Sequence, residues 1–235
     1  MGGHDLSRRS LLTAALAPIL LALCASAAVR ADRGQPVQID VRLRVDRSIT
    51  SRHIIEGIKD EAESIWAPYV RLQWTDEATT AGSAVSLEAN IERQFDKRGR
   101  ATPHQVLGHI FVGPDEPAHP PVHVSFDAVW TVLARAGSSS LGSVAGIVPD
   151  RDLSRALGRV LAHEIGHVLI GVPHDRAGLM RPSFRTDELA GVSRSRFRLT
   201  CAAVRRLQAR LGALTGSALP DDGDDGTCIA VRAGE

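Results

Sequence analysis

Five aliphatic residues recur at every fourth position in the second half of the chain: Leu153, Leu157, Leu161, Ile165 and Leu169. At 3.6 residues per turn this spacing winds them into one apolar stripe, which predicts a long amphipathic helix. Pro149-Asp150-Arg151-Asp152 opens it, with acidic residues suited to the positive end of a helix, and Gly171 and Pro173 stop it. Asp150 and Asp152 accordingly read as helix caps rather than catalysts. His163-Glu164-Ile165-Gly166-His167 lies inside the stripe. Histidines at i and i+4 stand one turn apart on the same face, close enough for both imidazoles to bind one ion. Two histidines and a glutamate on a buried helix are costly to keep without partners. Zinc accepts imidazole nitrogens at about 2.0–2.1 Å, and its catalytic sites hold three protein ligands and one open position. Glu164 projects about 100° around the helix from His163, beside such an ion rather than on it. That is where a general base for water is needed.

A third ligand has to follow where the chain turns back. Gly171 supplies a turn, and His174 arrives eleven residues after His163. The run H-E-I-G-H-V-L-I-G-V-P-H resembles the motif H-E-x-x-H-x-x-G-x-x-H of the metzincin metallopeptidases, with one extra residue between His167 and Gly171. Gly178-Leu179-Met180-Arg181-Pro182 resembles the methionine turn beneath the metal in the matrix-metalloprotease branch. The resemblance covers residues 150–182. It implies a zinc metallopeptidase, with Zn2+ on His163, His167 and His174, Met180 in the turn, and Glu164 as general base against peptide or protein substrates. An extra residue rotates the chain that follows by about 100° if it stays helical, so the turn has to absorb it. Glu188, in Asp187-Glu188-Leu189, is the rival third ligand, as in thermolysin-like enzymes that use a downstream glutamate. The family's cysteine-bearing propeptide has no counterpart, so the resemblance implies no latency by a cysteine switch.

Upstream of this region the pattern is of strands around a helix. Val37, Ile39, Val41, Leu43 and Val45 alternate with polar residues and predict a half-buried strand. From about Thr50 the period changes, and Ile54, Ile55, Ile58, Ala62, Ile65 and Trp66 line a helix. Val70–Trp74 and Val85–Ile91 predict two more strands, Gln105–Val112 a fourth, and Val122–Val132 a fifth or an edge segment. His119-Pro-Pro-Val-His123 reads as the loop entering it. A last helix is expected from about Arg194 to Leu211, and residues 212–235 read as irregular. The expected fold is α+β: a twisted mixed sheet, with a parallel pair after the first helix, packed on helices. A substrate would lie extended along an edge strand before the metal helix, for which Val122–Val132 is the candidate.

Residues 1–31 predict an export leader. Ser7-Arg8-Arg9-Ser10-Leu11-Leu12 has the twin-arginine pattern, an apolar run reaches Val29, and Ala25-Ser26-Ala27 offers a cleavage site. The protein is then periplasmic or secreted, without a membrane anchor once the leader is gone. The domain occupies residues 32–215, followed by an irregular acidic tail over 216–235. Removing the leader takes three arginines and one aspartate from a chain with 28 basic and 27 acidic residues, leaving 204 residues of formal charge −1. It also leaves two cysteines, Cys201 and Cys228, which an oxidising compartment would pair and so tie the tail to the last helix.

Near-zero charge gives no electrostatic case for nucleic acid, and 4% aromatics offer few stacking platforms. Only Lys59 and Lys97 are lysines; the 26 arginines are scattered and read as codon bias. His104, His109, His119 and His123 could form a second metal site but read as solvated loop histidines. Asp221-Asp-Gly-Asp-Asp-Gly226 lacks the closing glutamate of a calcium loop and reads as a solvated tail. Two other functions remain compatible: a zinc-binding module without catalysis, and a zinc hydrolase acting on a non-peptide amide or ester. The retained Glu164 favours catalysis.

Overall fold

The computed structural model describes residues 36–75, 85–94, 106–110, 120–138 and 147–215. The leader, His104, His119, Cys228 and the acidic tail lie outside the described residues. Strand β1 (Gln38–Val45) buries Ile39 and Val41, and β3 (Val85–Glu92) buries Val85, Leu87, Ala89 and Ile91 in strict alternation. With β2 (Arg71–Thr75), β4 (Gly108–Ile110) and β5 (Val122–Ser125) they form one mixed sheet in the order β2-β1-β3-β5-β4. All neighbours run parallel except β4, which is antiparallel to β5. Parallel strands need a crossover, and helix α1 (Arg52–Trp66) supplies it between β1 and β2. Ser51 caps that helix by accepting from the Ile54 amide at 3.5 Å.

The metal helix is α3 (Asp150–Ile170), and it differs from the expected single stripe. Every residue from Ala156 to Ile170 is buried. Small residues on the other faces are the reason, since they let neighbours come close. A Cβ on Gly158 would stand 2.7 Å from the Glu61 Cβ and 2.8 Å from the Ile58 carbonyl of α1. At the same contact the Trp66 indole donates to the Ala162 carbonyl at 3.1 Å. Buried Arg159 donates to Glu61 at 2.8 Å and to the carbonyls of Glu188, Leu189 and Ser193. Its guanidinium also lies 4.5 Å from the Phe197 ring centre. Thus α3 is fixed from α1 on one side and from α4 (Thr186–Ala190) on the other.

Three further expectations need correction. Val122–Val132 is not one strand: β5 ends at Ser125, whose hydroxyl accepts from the Ala128 amide at 3.2 Å and starts helix α2 (Phe126–Ser138). β5 is also interior, so the edge strand beside α3 is β4. The last helix does not begin near Arg194. A single 3-10 turn, Ser195–Phe197, comes first, and α5 (Cys201–Thr215) starts where the Thr200 hydroxyl accepts from the Ala203 amide at 3.1 Å. Asp150 and Asp152 sit in the first turn of α3 behind Pro149, the N-cap residue, and make no capping bond; Asp152 pairs with Arg155 at 3.1 Å.

Candidate metal centre

His163 and His167 rise from the middle of α3, both largely buried. The His163 Nδ1 lies 2.7 Å from the Leu179 carbonyl, and the His167 Nδ1 lies 3.4 Å from the Gly171 carbonyl. A carbonyl can only accept, so where these contacts are hydrogen bonds the Nδ1 carries the proton and the Nε2 is left to accept a proton or a cation. Those two Nε2 atoms face each other at 3.0 Å, a distance at which the two rings either share a proton in an N–H···N bond or approach one cation together. Imidazole nitrogens on one tetrahedral zinc stand about 3.4 Å apart, so the pair fits that ion. Burial holds the His163 pKa down at about 4 and lowers that of His167, keeping both neutral, as metal ligands must be.

The chain turns back at Gly171, whose φ of 109° is open only to glycine without strain. This turn takes up the extra residue of the motif, and exposed His174 arrives beside the pair. Its ring centre is 4.8 Å from that of His167 and 5.4 Å from that of His163. Ligand atoms of the three histidines all lie within 4.8 Å of one another, the one such group of three or more metal-capable side chains among the described residues. The next residue, Asp175, fixes the turn. It accepts from Thr200 at 2.5 Å and Arg206 at 2.8 Å, while its amide donates to the Met180 carbonyl at 2.8 Å.

Met180 is buried beneath the centre, its sulfur filling the space a Cβ on Gly166 would need. Gly166 lies between the two helical histidines in sequence, so the methionine forms their floor. Glu164 lines the same cavity, of about 700 Å³, together with the three histidines and Gly108 of β4. A Cβ on Gly108 would stand 2.7 Å from the Glu164 Oε1. Burial pushes the Glu164 carboxyl up to about 8.

Glu188 lies outside the histidine cluster and is held by arginines. Arg181 donates to both of its oxygens at 3.2 and 2.5 Å, the Arg185 amide to one at 2.9 Å, and Arg196 lies 3.4 Å away. His109 and His123 are not loop histidines either. They face each other on β4 and β5, their rings stacked at 5.0 Å, and the His123 Nδ1 lies 2.8 Å from Glu92. Phe184, which the sequence reading missed, stands perpendicular to His163 with ring centres 5.4 Å apart. Its place two residues after Pro182 gave no periodic signal. Asp175 was missed as well, although its position directly after His174 was a clue.

The sequence profile of the matrixin peptidase family matches residues 35–199, more than half of the chain. The chain belongs to the matrixin family. Matrixins are zinc-dependent peptidases, so this chain is a zinc metallopeptidase, and its three clustered histidines are suited to the ion. No curated protein matches it by sequence. Among solved structures, an archaemetzincin from Methanopyrus kandleri resembles it with a TM-score of 0.45 and 16% identity, over 77% of this chain and 98% of the other.

Proposed function

We propose that this matrixin is an exported endopeptidase in which His163, His167 and His174 hold zinc and Glu164 moves the proton. The observation that carries this reading is the cluster of three histidines with ligand atoms within 4.8 Å of one another beside a buried carboxyl group. When bound, zinc polarises the scissile carbonyl and acidifies the attacking water. Burial alone keeps Glu164 protonated at neutral pH, and a neighbouring dication favours its carboxylate. As a carboxylate, Glu164 takes the proton of the attacking water and returns it to the leaving amine. Leu179 and Gly171 hold the two imidazoles by their carbonyls, and Asp175 holds the turn that bears His174. The substrate lies extended along β4, the outermost strand of the sheet among the described residues, whose three residues line the cavity.

Export is supported by the twin-arginine pattern and the small residues at Ala25–Ala27. The family match starting at residue 35 and a compact unit starting at Val37 support the same boundary. A Cys201–Cys228 disulfide accords with that destination. The test compares wild type with Glu164→Gln for zinc content and for hydrolysis of casein and of fluorogenic peptides. Retained zinc with hydrolysis reduced at least about a hundredfold is expected. Equal hydrolysis by the two proteins would overturn the role of Glu164.

A further inference from the structure

One segment of the chain is richer in arginine than the rest. Residues 175–210 hold nine arginines against three acidic residues and no lysine, whereas the chain as a whole is nearly balanced. Seven of the nine are exposed: Arg176, Arg185, Arg194, Arg196, Arg198, Arg205 and Arg210. Those nearest the metal centre are connected to it through Phe184. That ring lines the cavity against His163, carries the Arg181 guanidinium 4.6 Å above it, and stacks on Phe197 at 5.1 Å.

Behind this wall the carboxylates are already shared. Glu188 takes Arg181, the Arg185 amide and Arg196; Glu61 takes both Arg159 and Arg194, the latter at 2.7 Å. Asp187 takes Arg185 at 2.9 Å. Five guanidinium groups thus meet three carboxylates, and the excess is positive. Arg159 and Arg181 are enclosed and join elements of the fold. Arg185 and Arg196 are different, with side chains 79% and 70% exposed, so their ion pairs add little to stability. Their position in the chain is more telling, because Arg185 directly follows Phe184, the last lining residue of the cavity in sequence, and Arg196 directly precedes Phe197, on which that ring stacks. Val106, Leu107, Ile110, Val132 and Val172 of the same lining are apolar, and among the described lining residues Glu164 is the only carboxylate.

We infer that this arginine-edged wall selects acidic peptides, binding aspartate or glutamate a few residues from the scissile bond on the side that passes Phe184. The inference rests on the peptidase reading above and adds a substrate class to it. An extended peptide advances about 3.3 Å per residue, so side chains beyond the one seated against Phe184 leave the cavity towards the segments that carry Arg185 and Arg196. Charges at such a rim act mainly on encounter and ground-state binding, and salt weakens them.

The test uses the zinc-loaded protein and a set of fluorogenic peptides with one scissile pair. Each flanking position in turn carries alanine, aspartate or lysine. Aspartate is expected to exceed lysine in kcat/KM by about threefold or more on one side of the bond only, mainly through KM. The ratio should shrink at high salt and reverse in the double variant R185E/R196E. A parallel titration of labelled aspartate and lysine peptides against zinc-loaded E164Q reads binding without turnover. Tighter binding of the acidic peptide supports the inference even if no peptide is cleaved. Equal binding of the two peptides, or equal kcat/KM across the charge series in active enzyme, overturns it. Failure of the peptidase reading looks different: wild type then cleaves no faster than E164Q.

Discussion

The contact between Met180 and Gly166 can be probed by one methyl group. In the middle of an exposed helix, Gly→Ala stabilises by about 0.8–1 kcal/mol. At Gly166 the new Cβ would overlap the Met180 sulfur and come within 3.1 Å of its Cε. Overpacking a filled interior costs about 1–3 kcal/mol, so G166A should be neutral to about 2 kcal/mol less stable rather than more stable. The larger effect is expected at the metal. Met180 directly follows Leu179, whose carbonyl holds the His163 Nδ1 at 2.7 Å, so any part of the adjustment that reaches the Met180 backbone is passed to the ligand. Disturbing a group that orients a ligand typically costs ten- to a hundredfold in metal affinity, about 1.4–2.8 kcal/mol. Urea unfolding of the metal-free protein reads the first quantity, and zinc competition against a chromophoric chelator reads the second. A G166A protein that is about 1 kcal/mol more stable and binds zinc as wild type does would refute the packing described around Met180.

The pair formed by Arg159 and Glu61 is fully buried, so R159M should cost about 3–5 kcal/mol, and adding E61L should restore much of it; thermal unfolding of both proteins checks this. D175N should weaken zinc binding about tenfold while leaving the helices folded, read by chelator competition and circular dichroism, because Asp175 joins the His174 turn to Thr200 and Arg206. The metal-free protein should also show a distinctive pH profile. Glu164 has its pKa raised from 4.5 to about 8, so its contribution is complete below pH 4.5 and is lost as pH rises through 8. His163 has its pKa lowered from 6.5 to about 4, so its contribution is complete above pH 6.5 and is lost as pH falls towards 4. Between pH 6.5 and 8 Glu164 dominates the change among the described groups, and stability should fall by about 2 kcal/mol in urea titrations. A flat profile there would mean that Glu164 is not held in a dry site.

The chemistry-bearing residues were legible because helical spacing brings residues i and i+4 together whatever the rest of the chain does. His163, Glu164 and His167 needed no tertiary information. His174 and Met180 were reached through the motif, and the fold agrees with the turn at Gly171. Strands β1 and β3 were legible for a related reason: their apolar residues alternate strictly because one face is buried. What escaped depended on contacts between distant parts of the chain. Val122–Val132 reads as a fifth strand or an edge segment, yet Ser125 caps a helix inside it, and a local hydroxyl outweighs the strand-forming residues around it. The edge strand was misplaced because β4 joins the sheet outside β5, an order no local pattern encodes. Glu188 looked available as a ligand until the fold surrounded it with Arg181, Arg185 and Arg196.

The assignment of the centre depends on which side chains meet the ion. Zinc K-edge absorption of the zinc-loaded protein reads this directly, compared with H174A and E188Q. Three imidazole nitrogens at about 2.0–2.1 Å are expected in wild type, one fewer in H174A, and no change in E188Q. Two imidazoles in wild type, with a third ligand lost in E188Q and unaffected in H174A, would contradict it.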